Sequence, residues 1–449
     1  MNDTINKYLQ NAELATASFE NYTQEKVDKI IEAVHLIGLE NREKLAKMAV
    51  EETGIGKWED KVIKNILSTK YIYEDIKDLK TVGVISKDDN SNIIEVAQPI
   101  GSILAIIPAT NPTSTVMFKI LIALKTRNPI IISPPKVAKN VCATTAKILY
   151  EEALRAGAPK NCIQWIEEPN RETLTTIMKD KRLASILATG GDSLVNAAYS
   201  SGTPSLGVGA GNVPVLIEDS FDIDTAIQQI VSSKTFDNGS ICASEQAIVV
   251  EKKNMKKALD SLVKHEAYIV PVSEVSALEK IVYNKEKGMM SSKIVGKSAN
   301  FIAEQAKLKI TKYISLLVVK QTKIGKEYPI SSEILAPVIA IYEAKDFKDA
   351  IKICKELNIY KGKGHTASIF SNDDEKIMEY SMSMNAARII VNSPSAQGAV
   401  GGLCNNLTPS LTLGCGSGGR NSTTDNITAK HLLNIQRIAK PVEKKEFAY

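Results

Sequence analysis

Apolar residues recur at helical spacing among charges through the first 80 residues. Val27, Ile30, Ile31, Val34 and Leu36 belong to this pattern, which predicts a helical N-terminal region. The period then shortens to that of strands. Thr81-Val82-Gly83-Val84-Ile85-Ser86 and Ile93-Ile94-Glu95-Val96-Ala97 flank the polar run Asp88-Asp89-Asn90-Ser91, and together they predict a hairpin. From residue 99 to about 220, short apolar runs alternate with amphipathic stretches. Strands are expected at 103–108, 129–133, 162–166, 185–189 and 213–217, with helices at 114–125 and 137–156. A second such series follows, with strands at 246–250, 315–320, 338–342, 368–371 and 388–392 and helices at 254–264 and 347–357. This alternation predicts an α/β protein with two open lobes, each a parallel sheet covered on both faces. A Gly/Ser/Asn-rich loop and a charged tail close the chain.

Length and composition fit that picture. A chain of 449 residues exceeds one ordinary core. Its hydrophobic content of 44% and charged content of 24% are those of a globular protein. The net charge of +5 is dispersed, with no basic patch interleaved with aromatics, so no nucleic-acid partner is expected. The small positive excess suits an anionic ligand such as a phosphorylated cofactor. No apolar run reaches the ~18–20 residues of a membrane span, and the N-terminus lacks the pattern of a secretion signal. The six cysteines are scattered, without CxxC or zinc spacing. They are expected to be free thiols in a reducing cytoplasm, and no metal site is expected.

The segment Thr235-Phe236-Asp237-Asn238-Gly239-Ser240-Ile241-Cys242-Ala243-Ser244-Glu245-Gln246 carries the strongest chemical signal. It sets one cysteine among small residues that leave room for a substrate carbon at the sulfur. A thiolate there can attack a carbonyl and hold the product as a thioester. A buried, inert cysteine is the alternative. Thr189-Gly190-Gly191 follows an apolar run and offers bare backbone to a phosphate or a nicotinamide, or simply makes a tight turn. Gly207-Val208-Gly209-Ala210-Gly211-Asn212 is similarly permissive. Asn111, in Pro108-Ala109-Thr110-Asn111-Pro112, is either an amide donor for an oxyanion or a turn residue. His365, in Gly362-Lys363-Gly364-His365-Thr366, reads as a histidine on a flexible loop, a proton carrier or phosphate contact if it is not simply a surface residue. Gly414-Cys415-Gly416-Ser417-Gly418-Gly419 matches G-x-G-x-x-G but opens no βαβ unit, so it reads as a loop closing over a site rather than a dinucleotide fingerprint.

Taken together, these segments resemble the aldehyde dehydrogenase superfamily, and within it the CoA-acylating branch. That branch includes the aldehyde dehydrogenase half of bifunctional aldehyde-alcohol dehydrogenases and the stand-alone acylating acetaldehyde and succinate-semialdehyde enzymes. The resemblance runs from about residue 20 to about 440. Beside the segments above it is carried by Pro99-Ile100-Gly101, Ala123-Leu124-Lys125-Thr126-Arg127-Asn128-Pro129, Ala198-Tyr199-Ser200-Ser201-Gly202, Asn392-Ser393-Pro394-Ser395-Ala396-Gln397-Gly398 and Leu413-Gly414-Cys415. It implies a cofactor-binding domain of residues 1–80 and 98–220 and a catalytic domain of 221–410. It also implies an arm of 81–97 and 411–449 that pairs subunits into a homodimer or higher homo-oligomer.

The resemblance further implies Cys242 as nucleophile and Asn111, with the Cys242 backbone N–H, as oxyanion hole. His365 is carried as a third catalytic candidate. Glu333 matches the glutamate at the nicotinamide ribose, Gly190 and Gly191 the loop at the pyrophosphate, and Ser133, Pro135 and Lys136 the adenosine side. Thr110 and Gly209 complete the expected cofactor contacts. The cofactor is expected to be NAD or NADP, with coenzyme A as cosubstrate and a small aldehyde or acyl-CoA as substrate. Acetaldehyde is favoured over succinic semialdehyde.

Two departures sharpen the reading. Hydrolytic relatives carry a water-activating glutamate about 34 residues before the cysteine, whereas this chain has Val208, which cannot act as a base. An acidic ribose contact common in NAD enzymes of the superfamily is matched by Lys139, which tolerates a 2′-phosphate. The chain stops where an alcohol dehydrogenase half would begin, so that second activity is not expected. A hydrolytic aldehyde dehydrogenase is opposed by Val208. A thiol hydrolase leaves the cofactor-like loops unexplained, and a non-catalytic scaffold leaves the Cys242, Asn111 and Glu333 set unexplained.

Overall fold

A computed structural model of the chain describes residues 2–442. Two parallel sheets organise it. The first has five strands in the order Ile163–Trp165, Ile130–Ser133, Ile103–Ile106, Ser185–Thr189 and Ser205–Val208, all parallel. The chain begins in the middle, builds outward to one side, then returns to build the other. The strand order therefore reverses between Ile103–Ile106 and Ser185–Thr189. Loops leaving the carboxyl ends of such strands splay apart and open a crevice. The helix Pro112–Lys125 is buried along its whole length. The N-terminal helices Gln24–Glu40 and Arg42–Thr53 and the helix Lys139–Arg155 pack with it into one apolar core.

The second sheet has seven strands, in the order Ala267–Ile269, Leu316–Gln321, Val338–Ala344, Glu245–Glu251, Val213–Ile217, Gly364–Phe370 and Ala386–Val391. All of its pairings are parallel. The strand Val213–Ile217 corrects the sequence reading. It pairs with Glu245–Glu251 and Gly364–Phe370, so the sheets divide at Gly209–Asn212 rather than near residue 220. An apolar run reports a buried strand but not which sheet takes it. Conversely, Ser205–Val208, where no strand was expected, is the edge strand of the first sheet.

The expected hairpin forms as Gly83–Asp88 and Ile93–Pro99, with a bulge between Val84 and Ser86. Leu433–Ala439 adds a third antiparallel strand beside Ile93–Pro99. The stretch before that strand does not belong to the arm. Ile427, Ala429 and Leu432 are buried in the core of the first lobe, and Leu413 and Cys415 in a cluster around Ile241. Their apolar side chains draw this part of the predicted arm into the body of the molecule. Residues 443–449, also assigned to the arm, lie outside the described residues. No helix among the described residues is long and apolar enough to cross a membrane.

Candidate active site

The carboxyl edge of the first sheet meets the amino edge of the second. From the first come the loop after Ile103–Ile106, holding Thr110 and Asn111, and the loop after Ser185–Thr189, holding Gly190 and Gly191. From the second come segments that lead into strands: Gly209–Asn212 before Val213–Ile217, Cys242 before Glu245–Glu251, and Glu333 before Val338–Ala344. Thr110, Asn111, Pro135, Gly190, Gly191, Gly209, Cys242 and Glu333 line one cleft of about 310 Å³, which also takes in Val208. Ser133, Pro135 and Lys136 line an adjoining cavity with Arg171, and Ile107, Pro135 and Leu194 belong to both. Lys139 is not among these lining residues; it pairs with Glu168 at 2.7 Å.

The cysteine loop owes its shape to unusual backbone. After the helix Ile223–Thr235 the chain turns through Asp237, Asn238 and Gly239, with φ of 48°, 51° and 70°. This left-handed region is costly for residues with a Cβ. The buried Asp237 carboxylate offsets that cost with partners. It accepts from the Lys57 backbone N–H at 2.7 Å, Lys61 Nζ at 2.9 Å, Ser240 Oγ at 2.7 Å and Lys64 Nζ. Its own backbone N–H donates to Asp60 Oδ2 at 2.7 Å. Burial pushes the Asp237 carboxyl up, but Lys64 and Lys61 outweigh it and hold it below the usual range. Burial lowers Lys64 to about 8 against the pull of Asp237, so it stays a cation at neutral pH.

Cys242 is partly buried in this loop. Burial, with Glu333 adding to it, pushes the thiol up to about 12, so the resting group is protonated. Glu333 Oε1 accepts the Gly211 N–H at 2.9 Å. A Cβ on Gly211 would stand 2.2 Å from the Cys242 carbonyl oxygen, so only glycine permits this approach. Asn111 precedes the helix Pro112–Lys125, with Pro112 opening its first turn. Its Oδ1 accepts from Lys64 Nζ at 2.7 Å, and its Nδ2 donates to Thr110 Oγ1 at 3.2 Å.

His365 departs from the sequence reading. It lies not on a flexible loop but in the strand Gly364–Phe370, fully buried. The glycine before it serves close packing: at φ 83°, a Cβ on Gly364 would come within 2.0 Å of the Cys415 carbonyl oxygen. His365 Nδ1 pairs with Thr366 Oγ1 at 2.9 Å, while Nε2 has no hydrogen-bond partner among the described residues. Burial, then Arg388, lowers the imidazole to about 3, so it is neutral at any physiological pH. Its Cε1 would lie 3.3 Å from the same Cβ on Gly211 that meets Cys242, which places the ring beside the Cys242 backbone.

A second cavity on the other side of Cys242 was not foreseen. Ile63, Leu67, Phe236, Ile241, Val400 and Leu413 are among its walls. Cys242 and Asn111 line both cavities. Among the described residues Lys64 is the one charged residue lining the apolar cavity, and its three N–H donors go to Asn111, Asp237 and Ser240. The only sequence signal for Lys61 and Lys64 was their spacing of three on the helix Trp58–Ile66, a pattern that ordinarily marks a solvated face.

A two-lobed α/β fold with a cysteine and an amide donor at the meeting of two cavities defines an aldehyde dehydrogenase, and the chain belongs to the aldehyde dehydrogenase family, whose model matches residues 1–403. Its relatives place it in the acylating branch. It is similar to an acetylating aldehyde dehydrogenase from Geobacillus thermoglucosidasius, with a TM-score of 0.96, 44% identity, and coverage of 99% of this chain and 98% of that one. It is 38% identical to the acetylating succinate-semialdehyde dehydrogenase of Clostridium kluyveri, over 97% of this chain and 95% of the relative. It is 43% identical to the bifunctional aldehyde-alcohol dehydrogenase of Escherichia coli, over 98% of this chain but 50% of the relative. The chain thus spans about half the length of the bifunctional relatives it matches.

Proposed function

We propose that the chain catalyses the reversible conversion of an aldehyde, CoA and NAD(P)+ to an acyl-CoA, NAD(P)H and a proton. The observation that carries this is the position of Cys242 and Asn111 on the shared wall of a glycine-lined cleft and an apolar cavity. The cleft suits a dinucleotide. It opens where the strand order reverses, Gly190, Gly191 and Gly209 present bare backbone, and the helix Asp192–Tyr199 begins at its rim, favouring a pyrophosphate. Glu333 and Thr110 stand at its nicotinamide side, and Ser133, Pro135 and Lys136 at its adenosine side. Bound there, NAD(P)+ supplies the hydride acceptor.

Cys242, once deprotonated, adds to the aldehyde carbon from the wall of the apolar cavity. The carbonyl oxygen becomes an oxyanion within reach of the Asn111 amide and the Cys242 backbone N–H, donors that act most strongly where charge develops. Loss of hydride from the hemithioacetal carbon leaves a thioester on Cys242. Val208, 2% exposed in its strand, provides no base for water, so the thioester persists until the CoA thiol attacks it. Cys242 is then the leaving group. The thiol proton passes to solvent, since burial and Arg388 hold His365 at about 3 and leave it too weak a base to take it.

The walls of the apolar cavity favour a short uncharged aldehyde such as acetaldehyde over succinic semialdehyde. A carboxylate there finds only Lys64, already committed to three partners. The exposed Val84 and Ile438 on the three-stranded antiparallel sheet support its use in pairing subunits, in a homodimer or a higher homo-oligomer. A nucleophilic thiol suits a reducing cytoplasm. The test follows NAD(P)H formation across an aldehyde panel with and without CoA. Steady CoA-dependent turnover is expected, with kcat/KM for acetaldehyde at least about tenfold above that for succinic semialdehyde. Equal steady rates without CoA refute the acylating assignment, and a preference for the carboxylated aldehyde refutes the substrate assignment.

A further inference from the structure

The two halves of the oxyanion hole come from different parts of the molecule. The Asn111 amide stands at the carboxyl edge of the first sheet, and the Cys242 backbone N–H at the amino edge of the second. Nothing in either segment alone fixes their separation. An asparagine amide can also turn over, which would present its oxygen to the developing negative charge. Both problems meet at one ammonium group. Lys64, on the helix Trp58–Ile66, sends one N–H to Asn111 Oδ1 at 2.7 Å, one to Ser240 Oγ at 3.2 Å and one to Asp237 Oδ2. Ser240 and Asp237 belong to the strained turn that delivers Cys242, and Ser240 itself donates to Asp237 at 2.7 Å.

We infer that Lys64 is the positioning residue of the oxyanion hole: it holds the Asn111 amide oxygen, so that the N–H side serves the oxyanion, and it ties that amide to the Asp237–Ser240 turn carrying Cys242. The chemistry requires a cation. A lysine ammonium donates but cannot accept, so it pairs with the amide oxygen and never with its nitrogen. A charged donor on the oxygen also draws electron density from the amide and strengthens its N–H as a donor. Lys61 does not share this role, since its Nζ reaches Asp237 and the Thr110 carbonyl oxygen rather than Asn111. The remaining acidic group near the turn, Asp60, accepts the Asp237 backbone N–H.

The inference rests on Asn111 serving the oxyanion, and the test separates the two ideas. Kcat for CoA-dependent aldehyde oxidation is measured for Lys64→Met, Asn111→Ala and the double variant. Asn111→Ala is expected to lower kcat about 10²–10³-fold, the usual loss for one oxyanion donor. Lys64→Met is expected to lower it on the order of 10²-fold, and the double variant to fall within about threefold of Asn111→Ala alone, because both changes remove one function. Alkylation of Cys242 by iodoacetamide, which forms no oxyanion, should stay within about threefold of the unsubstituted enzyme in Lys64→Met. Effects that multiply in the double variant, or an altered alkylation rate, would assign Lys64 to the turn alone and overturn the inference. Asn111→Ala with nearly full kcat would overturn the oxyanion reading as well. Lys64→Gln, which keeps an N–H donor, should recover at least about tenfold over Lys64→Met; where Lys64→Met does not fold, the same cycle is read with Lys64→Gln, and multiplicative losses there again overturn the inference.

Discussion

The two cavities that meet at Cys242 are built in opposite ways. The cofactor cleft is set by strand ends and the loops beside them, glycines included, at the edges of two sheets whose topology dictates where loops diverge. The apolar cavity is made of side chains from five separated stretches, around residues 63–67, 111, 236–242, 396–403 and 411–413. The first keeps its form as long as the sheets form. The second depends on long-range packing, so its shape and hence its aldehyde can change without disturbing the first. Cys242 and Asn111 are the residues that tie the two together, and changes at this junction should outweigh changes on either side.

The largest effect expected is at the junction itself. Cys242→Ala should abolish aldehyde oxidation while NAD(P)H binding, followed by the nucleotide's fluorescence, stays near that of the unsubstituted enzyme. The substitution removes one sulfur from a partly buried position, so the fold should survive. A folded Cys242→Ala enzyme turning over within about tenfold of the original would show that the chemistry lies elsewhere.

A smaller effect is expected from altering the boundary of the cofactor side. Val208 packs in one cluster with Leu67, Ile241 and Ala243 while also lining the cleft. Val208→Glu would place a carboxyl at the position of the hydrolytic base. Without CoA, the unsubstituted enzyme should give a single-turnover burst of NAD(P)H, whereas Val208→Glu should sustain a slow steady rate. The carboxyl would be desolvated, which raises its pKa and suits a base, and its burial should lower the melting temperature. A burst without steady turnover in both proteins would show that the surrounding backbone does not orient the new carboxylate.

The same contrast explains what could be read from the chain. Cys242, Asn111 and the paired Gly190 and Gly191 sit where hydrophobic periodicity stops, so they stand out as small or polar residues beside predicted strands, whereas Glu333 came only with the family resemblance. Leu67, Val400 and Leu413 did not stand out, because an aliphatic residue that lines a cavity reads like one that fills a core. Lys61 and Lys64 were hidden by their type, since lysines at helical spacing imply solvent and only the fold brings Asp237 to them. The Gly-Lys-Gly run before His365 suggested mobility. Its Gly364 is instead required by the close approach of Cys415, a contact between residues 51 positions apart that local sequence cannot announce.

The smallest effect expected concerns the resting thiol, which both cavities share. Burial and the Glu333 carboxylate push Cys242 up to about 12. The reactive thiolate is therefore a minor species at neutral pH, and its fraction should rise about tenfold per pH unit while pH stays below that value. Iodoacetamide labelling of Cys242 without cofactor, resolved from the exposed Cys404 by peptide mapping, should give a logarithmic rate rising with a slope near one and no plateau up to about pH 10. Binding NAD(P)+ brings positive charge to the Glu333 side of the cleft, which stabilises the thiolate, so the profile should shift to lower pH when the nucleotide is present. A plateau near pH 8 in the free enzyme would mean that the thiol is already activated at rest. Glu333 and burial would then not set its proton affinity, and the division of labour between the cavities would have to place activation on the side of Lys64 and Asn111.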